Sequence, residues 1–84
     1  MYYVYILKSQ KDGTYYVGST QDLKARFERH NQGRTKYTKM KRPWELVYSE
    51  ELQDRSSAVK RELEIKGHKR KSFIEKLISS KSRI

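Results

Sequence analysis

The chain has 84 residues, 35% of them hydrophobic and 36% charged, which bounds it to one small domain burying roughly 60 to 65% of its unfolded surface. There is no cysteine, so disulfides and thiolate zinc sites are excluded; no apolar run approaches the ~18 residues of a membrane span, and no signal peptide is legible in MYYVYILKSQ, so a cytoplasmic protein is expected. Twenty Lys and Arg against ten Asp and Glu give a net charge of +10, a field that attracts polyanions and nucleic acid above all.

Residues 2–8 (YYVYILK) read as a strand, with β-formers throughout and apolar side chains on both faces, as in a strand covered on both sides. Asp12-Gly13 marks a hairpin turn, because Gly supplies the positive φ that such turns require, and residues 14–18 return as a second strand. Any loop with an even number of residues puts Tyr5 and Tyr16 on one face. A four-residue loop also makes them diagonal neighbours, within about 7 to 8 Å, and is the length we expect.

The stretch STQDLKARFERHNQG predicts a helix capped by Ser19 or Thr20, with Asp22 in its first turn and Gly33 at its end. Leu23 and Phe27 form its buried stripe, and Arg26 and His30 adjoin that stripe one turn apart. Residues 34–43 are a basic connector with at most one helical turn, stopped by Pro43. WELVYSEEL predicts a third strand with Trp44, Leu46 and Tyr48 on one face and Val47 on the other. A second helix is expected from Asp54 or Ser56 to Gly67, and a third through KSFIEKLI. The order ββαβαα implies an α+β fold, a small three-stranded antiparallel sheet flanked by helices, with one domain over 1–79 and a frayed tail over 80–84.

Most familiar sites are absent from the sequence. His30 and His68 stand far apart without zinc-ligand spacing, no phosphate-cradling G-x-x-x-x-G-K-[ST] run occurs, and no G-x-S-x-G elbow is present. The carboxylates are scattered, but Glu62 is placed differently. On the second helix it shares a face with Ala58 and Ile65, the side that meets the sheet. It suits either an i,i+4 pair with Lys66 or, with substrate phosphates and waters, a magnesium ion. Gly18 is expected to let another group approach the backbone closely.

Tyr3-Val4-Tyr5, Tyr16-Val17-Gly18, the Arg26 and His30 of the first helix, KYTKMKRPWELVYSEE and AVKRELEIK together resemble the GIY-YIG nuclease superfamily, specifically its small stand-alone members. Tyr3 stands where the first motif has its Gly, and Asn31, the sole Asn, leaves the C-terminal Asn of some active members without a counterpart. The resemblance implies metal-dependent hydrolysis of phosphodiester bonds in DNA, ahead of RNA. It implies Tyr5 as general base, its phenol lowered from a pKa near 10 by a nearby cation, and Tyr16 as a hydrogen-bonding partner of the water or phosphate. Arg26 would stabilise developing phosphate charge, His30 would orient a phosphate or relay a proton, and Glu62 would hold one Mg²⁺ or Mn²⁺.

Two basic clusters are candidate nucleic-acid contacts: Lys36, Lys39, Lys41 and Arg42 in the connector, and Lys66, Lys69, Arg70 and Lys71 around the junction of the last two helices. Tyr37 and Trp44 are candidates to stack on unpaired bases, with Trp44 also suited to the core. No appended DNA-binding segment is legible, so the protein is expected to be weakly selective, directed by substrate structure or dependent on a protein partner. The alternative reading is a nucleic-acid-binding module of the same fold without catalysis.

Overall fold

In the computed structural model, which describes residues 1–68 and 70–81, the chain forms β1 (Tyr2–Ser9), β2 (Tyr15–Thr20), α1 (Leu23–Asn31), a short 3-10 turn (Lys39–Lys41), β3 (Trp44–Leu52), α2 (Arg55–His68) and α3 (Lys71–Lys81). The sheet is antiparallel with β1 in the centre, in the order β2-β1-β3. This is the α+β arrangement expected, and no helix among the described residues is long and apolar enough to cross a membrane.

The hairpin closes as the Asp-Gly signal predicts. Lys8 faces Tyr15, the Ser9 amide donates to the Thr14 carbonyl at 2.8 Å, and residues 10–13 are the four-residue loop, with Gly13 at φ +77°. Lys41 anchors this loop to the connector, its ammonium 2.8 Å from Asp12. The same ammonium, with help from Thr14, holds the Asp12 carboxyl well below the usual carboxylate range.

Because β1 is central, its alternating side chains build two small cores. Val4 and Ile6 pack with Val17, Tyr48, Ala58 and Ile65 on the α2 and α3 side, where Phe73, Ile74, Leu77 and Ile78 cover them. Tyr5 and Leu7 pack with Trp44 on the α1 side, covered by Tyr16, Leu23 and Phe27. Fully burying an aliphatic side chain such as Ile6 or Leu7 is worth about 1.5 to 3 kcal/mol, so the sheet centre supplies much of the hydrophobic stabilisation.

Several boundaries differ from the sequence expectations. The N-cap of α1 is Asp22, whose carboxylate accepts the Ala25 amide at 3.0 Å, while Thr20 stays in β2 and its hydroxyl oxygen accepts the Asp22 amide. Helix α2 runs through Gly67 to His68, since one interior Gly costs a helix only about 1 kcal/mol. Helix α3 runs on to Lys81, so the expected tail begins inside it and its residues 82–84 lie outside the described chain.

The largest correction is in β3. Ile6 pairs with Tyr48 but Leu7 pairs with Leu46, so Val47 is an extra residue in a bulge. The bulge reverses the alternation, sending Tyr48 to the α2 side while Trp44 and Leu46 stay on the α1 side.

Candidate functional site

Beside β2, an edge strand, β1, β2 and α1 bring Tyr5, Tyr16 and His30 together. The Tyr5 ring lies across Gly18, where an added Cβ would fall 2.5 Å from the phenol oxygen and 3.2 Å from the Tyr16 ring. Gly18 is thus the close-approach position expected, and the approaching group is Tyr5. The Tyr5 and Tyr16 ring centroids are 6.4 Å apart, and those of Tyr16 and His30 are 5.0 Å apart.

His30 is fully buried, and both ring nitrogens are occupied. Nε2 lies 3.0 Å from the Tyr5 hydroxyl and Nδ1 lies 2.8 Å from Thr38 Oγ1. Thr38, itself fully buried, lies 3.4 Å from the Thr35 carbonyl, and when its hydroxyl donates there its oxygen accepts from His30 Nδ1–H. That direction makes Nε2 the acceptor and the Tyr5 hydroxyl the donor. Burial, then the charges of Arg26 and Arg29, push the His30 pKa below its ordinary value, so the ring is neutral at pH 7.

Tyr5 departs from the expected electrostatics. Its pKa is raised well above the ordinary phenol value, by burial first and by Tyr16 second, and Arg26 opposes this only in part. A side chain 1% exposed loses the hydration that a phenolate needs, and one nearby guanidinium does not replace it. Tyr5 is therefore a neutral phenol here. Arg26, half-buried one helical turn before His30, also lines a cavity of about 370 Å³ with Ser19 and Arg55, between the start of α1 and α2.

Glu62 approaches from α2. Its side chain is 18% exposed, accepts the Ser19 hydroxyl at 2.6 Å and pairs with Lys66 Nζ at 2.6 Å. The i,i+4 pairing with Lys66 is therefore present. Among the described residues no group of three or more His, Asp or Glu side chains could hold an ion. Glu62 fits a metal in one way only: as a single carboxylate beside waters and substrate phosphate oxygens, a donor set that suits Mg²⁺.

The basic candidates divide. Lys36, Lys39, Arg70 and Lys71 are exposed. Lys41 is tied to Asp12, Lys66 to Glu62, and Arg42 donates to the Lys39 carbonyl at 2.9 Å while its guanidinium covers Gly33. Lys69 lies outside the described residues. Trp44 is core, 3% exposed, with its indole N–H on the Thr38 carbonyl at 2.9 Å, whereas Tyr37 is 64% exposed and leans on Tyr16. Sequence reasoning missed Thr38, since a Thr in a basic connector carries no periodic signal. It also gave Asn31, the last residue of α1, no part in positioning the site, whereas its side-chain amide clamps both backbone polar groups of Trp44.

Comparison with known proteins places this geometry in context. The model of the GIY-YIG catalytic domain matches residues 1–77. A UPF0213 protein of Staphylococcus aureus is 49% identical over 70 residues, 82% of this chain and 84% of that protein. A UPF0213 protein of Staphylococcus saprophyticus is 47% identical over 79 residues, 93% of this chain and 94% of that protein. The solution NMR structure of a UPF0213 protein from Bacillus halodurans superposes with a TM-score of 0.61 at 36% identity, covering 96% of this chain and 86% of that one.

Proposed function

The chain belongs to the GIY-YIG catalytic-domain family, among the small single-domain UPF0213 proteins, and from that premise we propose that it is a metal-dependent endonuclease hydrolysing phosphodiester bonds in DNA. The observation that carries the reading is the buried chain from Tyr5 through His30 to Thr38, because it gives a neutral phenol a way to act as a base.

The steps follow from the hydrogen-bond directions. As water attacks phosphorus, the Tyr5 oxygen accepts a water proton while its own proton passes to His30 Nε2. His30 becomes an imidazolium whose Nδ1–H still rests on Thr38, and no free phenolate is formed. Tyr16 orients the water or a phosphate oxygen, and the Arg26 guanidinium binds phosphate oxygens through its fork of donors as charge develops there. Glu62 would hold one Mg²⁺ or Mn²⁺, which when bound stabilises charge on the leaving oxygen. Lys36, Lys39, Arg70 and Lys71, together with Lys69, supply phosphate contacts, and a protein partner or the substrate's shape supplies selectivity.

The test is cleavage of labelled single-stranded, duplex and branched DNA and of single-stranded RNA by the purified protein with Mg²⁺ or Mn²⁺. Tyr5→Phe and Glu62→Ala should each lower cleavage by about 10² to 10⁴-fold without loss of fold. Cutting by both variants at the wild-type rate would falsify the assignment. One observation favours a second reading, a binding module without catalysis: the Glu62 carboxylate is already satisfied by Ser19 and Lys66. Metal-independent binding with no cutting by any variant would select it.

A further inference from the structure

A second concavity borders Tyr16. It measures about 410 Å³ and is walled by Tyr15 and Tyr16 of β2, Tyr37 of the connector, Ile65 and Lys66 of α2 and Ile74 of α3. We propose that this pocket receives an unpaired DNA base flanking the phosphate to be cleaved, so that the substrate is DNA with a single-stranded segment at the cut. The proposal rests on the nuclease reading for the word cleaved, but the base pocket itself is testable by binding alone.

Position is the first argument. The pocket shares Tyr16 with the candidate site, whose ring is 5.0 Å from His30, and its Lys66 wall ends 2.6 Å from Glu62. A nucleotide seated there is adjacent to both halves of the catalytic set. Chemistry is the second. Tyrosine rings and the part-buried Ile74 offer π-faces and apolar surface, a lining that suits a planar heterocycle. Tyr37 is the key wall: it is 64% exposed, yet its ring lies 5.8 Å from that of Tyr16.

Charge is the third argument. The exposed Lys36 and Lys39 stand on either side of Tyr37 in sequence, and the chain carries +10 overall, so a strand whose base enters here finds cations for its phosphates. A base inside a duplex is stacked above and below and paired at its edge, so it cannot fill the pocket without leaving the helix. Selection for an unpaired strand follows from the shape of the site.

Fluorescence anisotropy at one fixed salt concentration, without metal, tests this on single-stranded DNA, the matched duplex and a single strand carrying abasic positions. Tyr37 is exposed, so its replacement leaves the fold intact. Tyr37→Ala should weaken binding of the single strand about five- to a hundredfold, leave the duplex nearly unchanged, and be rescued by Tyr37→Phe. The abasic strand should bind wild type as weakly as the intact strand binds Tyr37→Ala. Equal effects on single strand and duplex, or none on either, would overturn the proposal. So would Tyr37-dependent binding of RNA in place of DNA, or a Tyr37-dependent dimer in sedimentation that assigns the pocket to a second copy. Cleavage assays separate the two failures: Tyr37-dependent single-strand binding with no cutting sinks only the nuclease reading, and Tyr5-dependent cutting indifferent to Tyr37 sinks only the pocket.

Discussion

Gly18 shows how much of the site hangs on a missing side chain. An added Cβ would lie 2.5 Å from the Tyr5 oxygen and 2.7 Å from its ring carbon, and the ring is held by His30 and flanked by Tyr16. Gly18→Ala should therefore cost about 1 to 3 kcal/mol in denaturant unfolding and displace the phenol from His30, with cleavage falling more than stability. Thr38 acts on the same pair from behind. Thr38→Val keeps the volume but leaves His30 Nδ1–H without an acceptor in a fully buried place, a loss of about 1 to 3 kcal/mol, and it frees the ring to change tautomer. Imidazole ¹⁵N shifts should record that change, and Thr38→Ser should restore the wild-type pattern. The His30 pKa is lowered from its ordinary 6.5, so below about pH 6.5 the unfolded chain takes up this proton before the folded one does. Stability should fall as pH drops through that window and level off once pH passes the folded value, and His30→Gln should remove the step. Asp12 and Asp54, held low chiefly by Lys41 and by the Ser57 amide, act in a separate window below about pH 3.8.

Between elements, the clamp by Asn31 at the end of α1 is the contact to break. Its carbonyl accepts the Trp44 amide at 2.6 Å and its NH₂ donates to the Trp44 carbonyl at 3.1 Å, fixing α1 to the first residue of β3. Asn31→Ala should cost about 1 to 3 kcal/mol, which for a domain of this size is a drop in Tm on the order of 5 to 15 °C by calorimetry. Activity should fall as well, since Trp44 also holds the Thr38 carbonyl through its indole N–H. The clamp also shows where sequence reading stops. The ββαβαα element order, the four-residue hairpin loop and the shared face of Tyr5 and Tyr16 were legible because hydrophobic periodicity, local turn chemistry and period-2 alternation dictate them. The bulge at Val47 was not, because alternation alone assumes a continuous ladder, and only pairing with β1 shows the extra residue. Nor was the capping role of Asp22, since Ser19, Thr20 and Asp22 all suit a cap and the choice falls to where β2 releases the chain. The expected lowering of the Tyr5 phenol failed for a related reason: burial depends on three elements closing around it, and no local pattern encodes that sum.

For the whole molecule, the question is how many of its cations are free to meet phosphate. Net charge alone overstates them, because Lys41, Lys66 and Arg42 are already engaged inside the fold. Lys36, Lys39, Arg70 and Lys71 are exposed candidates. They lie on two segments, the connector and the α2–α3 junction, and the pocket between Tyr37 and Ile74 lies between those segments. If these four side chains contact duplex phosphates, log affinity should fall against log salt with a slope of about −3 to −4, since each neutralised phosphate contributes about −0.9. Lys36→Ala or Lys71→Ala should each reduce the slope by about one, measured by anisotropy between about 50 and 200 mM salt. Lys41→Ala should leave the slope nearly unchanged and instead lower thermal stability, because its ammonium serves Asp12 and Thr14. A slope that drops fully with Lys41 would mean that DNA opens the hairpin clip on binding, and the connector would then move when substrate arrives. A slope unaffected by Lys36 and Lys71 would place the phosphates elsewhere on this basic surface.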